Sequence, residues 1–117
     1  DEGLVACAAM PYLRRLTLAS CAKLGDAGLR HLSNLHALRQ LHLDGCHGVT
    51  VKGVKRIASL RLHELTLKGC RGIDTAALQV LLGMPSLRYL DVRDCPEVTS
   101  DMVRELRLAL PECLVRP

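Results

Sequence analysis

Apolar residues recur along the chain in a fixed frame. Leu13, Leu16, Leu18, Cys21 and Leu24 make the first copy, in the segment LRRLTLASCAKL. Leu38, Leu41, Leu43, Cys46 and Val49 repeat it, followed by Leu62, Leu65, Leu67, Cys70 and Ile73, then Leu87, Leu90, Val92, Cys95 and Val98. Each copy reads LxxLxLxxCxxL, and the four cysteines stand 25, 24 and 25 residues apart. The LxL alternation predicts a short strand, since successive strand side chains point to opposite faces. Eight residues beyond each cysteine come Leu29, Val54, Leu78 and Val103, and three further on come Leu32, Ile57, Leu81 and Leu106. Apolar spacing of three, after a spacing of two, marks a switch from strand to helix.

The elements follow from this switch. Strands are expected near residues 15–18, 40–43, 64–67 and 89–92, and helices near 26–33, 51–58, 75–82 and 100–109. Thr50, Asp74 and Thr99 stand at the expected helix starts, where a side-chain oxygen caps exposed amides. The first copy has Gly25 there, which leaves Asp26 to cap its own helix. Pro11 and Pro85 fall between a helix and the next strand, where the missing amide donor costs little. A single unit of this size buries too little to offset its lost chain entropy, so the units must stack and share interfaces. One domain over 1–117 is expected, with units at about 11–35, 36–59, 60–84 and 85–110. Leu4 and Cys7 lie in register with Leu29 and Leu32, so 1–10 reads as the helical half of a truncated unit. Residues 111–117 read as a closing edge, with Pro111 ending the last helix and Cys113-Leu114-Val115 adding a short strand.

With those copies in view, the chain resembles the cysteine-containing leucine-rich repeats of F-box proteins and their relatives, from Pro11 to about Leu110. The resemblance implies an α/β fold: a ribonuclease-inhibitor-like solenoid, wound as a right-handed β-α superhelix, with a parallel sheet on the concave side and helices on the convex side. It also implies a protein–protein interaction module, as in the substrate-recognition repeats of F-box-type ubiquitin ligase receptors. The alternative is a structural or assembly subunit docked in a large complex through its helices. Either way, the chain is expected to be part of a longer protein or a larger assembly.

Composition narrows the chemistry. The core is aliphatic, for 49% of residues are hydrophobic while Phe and Trp are absent and the aromatics are Tyr12 and Tyr89 alone. The net charge of +4 is spread without a block of like sign, which disfavours nucleic acid and a polybasic membrane contact. Few aromatics are available for base stacking, and no apolar run reaches the roughly 20 residues that span a bilayer. Six cysteines without a CxxC pair argue against the common structural zinc motifs and for reduced thiols, hence an intracellular, cytoplasmic or nuclear setting. Cys21, Cys46, Cys70 and Cys95 are read as structural. His42, Cys46 and His47 diverge on the repeat and form no metal cage. No cofactor and no catalytic machinery are expected: Asp91 and Asp94 read as solvated carboxylates at a strand end.

The expected partner surface is the concave face. One column of residues between the core leucines is Arg15, Gln40, Glu64 and Tyr89; the next is Thr17, His42, Thr66 and Asp91; a third is Ala19, Asp44, Lys68 and Arg93. Beside them Arg14, Arg39, His63 and Arg88 form a mostly basic row. The columns are chemically mixed, which suits selection of one protein by pattern. Tyr89 and Arg93 are the strongest single candidates, because Tyr and Arg dominate interface hot spots.

Overall fold

The computed structural model describes residues 9–18 and 24–117. Leu4, Cys7, Ala19 and Cys21 lie outside the described residues, and with them the N-terminal helical segment and the first repeat cysteine. Five three-residue strands alternate with helices in the order β1 (Arg15–Thr17), α1 (Asp26–Leu29), β2 (Gln40–His42), α2 (Val51–Ile57), β3 (Glu64–Thr66), α3 (Thr75–Leu81), β4 (Tyr89–Asp91), α4 (Ser100–Ala109) and β5 (Leu114–Arg116). The strands form one parallel sheet in sequence order. Arg15, Gln40, Glu64, Tyr89 and Leu114 stand in one register row, and Thr17, His42, Thr66, Asp91 and Arg116 in another. Between those rows Leu41, Leu65, Leu90 and Val115 turn inward and are buried.

Each repeat covers the one before it. Leu43, Leu67 and Val92 continue the inward side of the strands, and Val54, Leu78 and Val103 with Ile57, Leu81 and Leu106 return from the helices to meet them. A further buried column, Leu35, Leu60, Met84 and Leu110, fills the corner where helix turns into strand. That column falls outside the LxxLxLxxCxxL frame, which ends before the helix. Every member contributes apolar area removed from water, and together they make one continuous aliphatic core.

The helix starts are built as the spacing suggests, with one exception. Asp74 accepts from the Ala77 amide at 3.1 Å, and Thr99 from Met102 at 3.3 Å. Asp26, by contrast, does not cap α1. Gly25 stands at that cap with no side-chain hydrogen bond, and the expected helix over 26–33 shortens to four residues continued by a tight 3-10 turn at Arg30–Leu32. An uncapped start and Gly28 within so short a helix both disfavour the α conformation.

The turns after β2, β3 and β4 each need a left-handed residue. Gly45 and Gly69 take φ of 73°, and Asp94 takes 58° at the same place. Glycine adopts this without a Cβ penalty, and Asp is one of the few other residues that tolerate it. Each of these turns leads directly into a cysteine.

Candidate functional site

The cysteines form a ladder between repeats. The Cys46 thiol donates to the Leu18 carbonyl at 2.8 Å, Cys70 to Leu43 at 3.1 Å, and Cys95 to Leu67 at 3.0 Å. Each sulfur donates to the last inward carbonyl of the preceding strand segment, and the Leu43 and Leu67 carbonyls also accept the Cys46 and Cys70 amides of their own turns. Burial pushes the Cys70 thiol up to about 12, and it also raises those of Cys95 and Cys113. The four described cysteines, Cys46, Cys70, Cys95 and Cys113, are all buried. Among the described residues no group of three His, Cys, Asp or Glu side chains is placed to hold a metal ion.

On the outward side of the sheet the first column stays accessible. Arg15 is exposed, while Gln40, Glu64 and Tyr89 are half-buried. Cross-strand bonds tie it together: Arg15 Nε donates to Gln40 Oε1, Thr17 Oγ1 meets His42 Nδ1 at 3.3 Å, and His42 Nε2 contacts Glu64 Oε2. Thr17, His42 and Glu64 thus form one polar chain over three strands. In the loop column Asp44 turns aside to accept the Lys68 amide at 3.1 Å, and the Lys68 side chain is exposed.

The second column closes progressively toward the C-terminal strands. Thr66 and Asp91 are buried, at 8% and 3% exposure, so neither presents a side chain on the accessible surface. In register, Thr66 lies between His42 and Asp91, and Asp91 between Thr66 and Arg116. The reading of Asp91 as a solvated carboxylate is therefore corrected. Arg93 donates to it through Nε at 3.0 Å and through Nη2 at 2.8 Å, and the Arg93 amide adds a third bond at 3.0 Å. Burial opposes ionisation of Asp91, but these bonds and the Arg93 charge outweigh it and hold the carboxyl below the ordinary range. Arg93, in turn, is partly committed to Asp91 and less available to a partner. Thr66 Oγ1 has no hydrogen-bond partner.

Residues 9–33 match the family model described as leucine rich repeat. The sheet and helices described above continue the same geometry to Arg116. The parallel five-stranded sheet and its helices fit a leucine-rich-repeat-type fold. No curated protein matches the chain. Leucine-rich repeats generally mediate protein–protein interaction. Among the described residues no helix is long and apolar enough to cross a membrane.

Sequence spacing identified the columns but not their depth. Nothing in the repeat frame distinguishes Thr17, which is exposed, from Thr66, which is buried at the equivalent place. Thr17 lies on the first strand of the sheet order, whereas Thr66 lies on β3 with a strand on either side. The one available signal was Arg93 two residues after Asp91, a spacing that returns the guanidinium to the same face.

Proposed function

We propose that the outward strand face docks a protein partner, with Arg15, Gln40, Glu64, Tyr89, Thr17, His42 and Lys68 as the contact surface. The polar chain Thr17–His42–Glu64, together with the Arg15–Gln40 bond, carries this reading. Those bonds hold long side chains in fixed positions before any partner arrives, which lowers the ordering cost of binding. Tyr89 supplies the large, rigid contact at the C-terminal end of the same row. Binding rather than catalysis is the activity we infer.

The resemblance to F-box repeats supplies the finer reading, in which the partner is a substrate presented to a ubiquitin ligase and the fold is one segment of a right-handed solenoid. Buried thiols, kept neutral and hydrogen-bonded, support an intracellular setting. The test is a photocrosslinking residue at position 89 compared with one at exposed Leu108 on α4, using the same partner preparation. Crosslinks at 89 that vanish in a Glu64→Ala, Lys68→Ala variant with unchanged thermal unfolding support strand-face docking. Crosslinks confined to 108 instead assign the interaction to the helices, as in an assembly subunit.

A further inference from the structure

The loops that lead from helix to strand carry an unusual charge. Segments 10–14, 33–39, 58–63 and 83–88 contain Arg14, His36, Arg39, Arg61, His63 and Arg88, and neither Asp nor Glu. The chain has 16 basic and 12 acidic residues, so the four arginines of this edge equal its whole formal excess of +4. The opposite loops, after β2, β3 and β4, mix His47, Lys68, Arg71 and Arg93 with Asp44, Asp74, Asp94 and Glu97.

Backbone hydrogen bonds hold the basic edge in a row: the Arg39 amide donates to the Arg14 carbonyl at 2.9 Å, His63 to Arg39 at 2.7 Å, and Arg88 to His63 at 2.8 Å. Two of the arginines share one pose. Arg39 Nη1 donates to the carbonyls of His36 and Leu38 at 2.8 and 3.0 Å, and Arg88 Nη1 to those of Pro85 and Leu87 at 2.9 and 3.1 Å. In both, Nε and Nη2 are left for another acceptor. For Arg88 an anion comes from the next loop, where Glu112 Oε2 lies 3.9 Å from Nη2. For Arg39 the next loop brings Arg61 instead. A cleft of about 290 Å³ opens between them, lined by His36, Arg39, Ser59 and Arg61. Among the described residues no carboxylate lies within 4.0 Å of Arg39 or Arg61.

We propose that this cleft binds a phosphomonoester dianion carried on a serine or threonine of a partner polypeptide. Two guanidinium groups facing one cleft repel until an anion sits between them, and a dianion balances both. Phosphate offers three acceptor oxygens and about −1.5 to −2 of charge, and Arg forks match its geometry. The Ser59 hydroxyl and a His36 ring N–H add donors at the rim. His36, Ser59 and Arg61 are exposed, so the cleft is open enough to take one group carried on a larger molecule. The flanking basic row would then attract acidic residues on either side of the modified one. The site is separate from the strand-face contact proposed above, and either can fail without the other.

The probe is N-acetyl-O-phosphoserine methylamide, titrated into isotopically labelled protein and followed by amide chemical shifts. Inorganic phosphate, N-acetylglutamate methylamide and a mixed single-stranded oligoribonucleotide serve as comparisons. Saturable shifts at Ser59, Arg61 and loop 33–39 are expected, at least 5-fold tighter for the phosphoserine compound than for the glutamate one. Arg61→Ala, whose side chain makes no recorded internal bond, should weaken this at least 10-fold while preserving the remaining spectrum. Arg88→Ala should leave it intact. Shifts that never saturate, that survive Arg61→Ala, or that are matched by the glutamate compound overturn the proposal. Inorganic phosphate binding as tightly as the phosphoserine compound overturns its polypeptide source. Tighter oligoribonucleotide binding at the same amides overturns it in favour of a nucleic-acid edge.

Discussion

Asp26 reaches out of its own repeat and caps the helix of the next, accepting the Thr50 backbone amide at 2.7 Å and the Gly53 amide at 2.9 Å through Oδ1. Its Oδ2 accepts a hydrogen bond from the Thr50 hydroxyl at 2.5 Å, while Thr50 Oγ1 accepts from the Lys52 amide at 3.3 Å. A negative charge is thereby placed against the start of α2, where the helix dipole favours it. Two successive repeats are locked by one carboxylate. Asp26→Ala should lower the unfolding free energy by about 2–3 kcal/mol, because three donors lose a charged acceptor at once. Thr99→Ala, which removes one ordinary cap, should cost about 1 kcal/mol. Urea unfolding of the two variants checks the order, and an Asp26 effect no larger than the Thr99 effect would contradict the cross-repeat cap.

The same carboxylate explains a glycine. A Cβ on Gly53 would lie 2.5 Å from Asp26 Oδ1 and 2.8 Å from Leu29 Cδ1. In an unencumbered helix Gly→Ala gains about 0.5–1 kcal/mol, but overpacking costs about 1–3 kcal/mol. The clash involves a fixed hydrogen-bonded group, so the loss wins. Gly53→Ala should melt below the parent protein. Gly83→Ala, whose Cβ would meet only the Val80 carbonyl at 3.5 Å, should melt within a degree or two of it.

How far the sequence revealed these contacts depends on whether they lie within one repeat or between two. The rows Arg15–Gln40–Glu64–Tyr89 and Leu41–Leu65–Leu90 were legible because period alone fixes register in a parallel stack. Asp26 was not, since its partner is set by the angle between neighbouring helices, and its own cap position looked vacant at Gly25. Thr66 and Asp91 are buried on strands that have a neighbour on either side, which a single repeat does not show. Nor does the repeat frame show that Arg39 faces Arg61 while Arg88 faces Glu112, because the loops differ in length and their side chains meet only in three dimensions.

The cysteine ladder carries a pH signature. Cys70 stays protonated in the folded protein up to about 12, whereas its unfolded counterpart ionises at about 9.0. A folded value above the unfolded one adds stability that is fully present below pH 9 and fades as pH rises toward the folded value. Stability should therefore decline between about pH 9 and 12, and Cys70→Ala should flatten part of that decline while losing about 1–2 kcal/mol at pH 7. Unfolding curves at pH 7, 9 and 10.5 decide it; a parallel alkaline decline in parent and variant would show that the thiol is not its source. In the same experiment the four described thiols should resist a thiol reagent until the chain unfolds.

Thr66 is the opposite case, a buried group whose removal should help. Its hydroxyl lies in register between His42 and Asp91, yet His42 is bonded to Thr17 and Glu64, and Asp91 to Arg93. Both neighbours are engaged, and Oγ1 is left without a partner. Val has the same shape without the unpaired dipole and suits a strand. Thr66→Val should raise stability by about 1 kcal/mol. A loss of similar size would instead reveal a hydrogen bond to the hydroxyl, such as an ordered water.

The Asp91–Arg93 pair sets the acid limit on this face. Asp91 is nearly buried and its folded-state carboxyl lies below the ordinary 3.8, so the stability it contributes is present above that value and disappears as pH falls through the folded one. Asp91→Asn should therefore destabilise at pH 7, where the parent carries a charged acceptor for Arg93, and should differ less from the parent near pH 2.5. Arg93→Ala should destabilise more than its exposure suggests, because it strands a buried carboxylate. That makes Arg93 a poor position for testing partner contact, and Tyr89 with Lys68 the better ones. Thermal melts of the parent, Asp91→Asn and Arg93→Ala at both pH values check this, and a pH-independent gap between parent and Asp91→Asn would place the effect in packing rather than in charge.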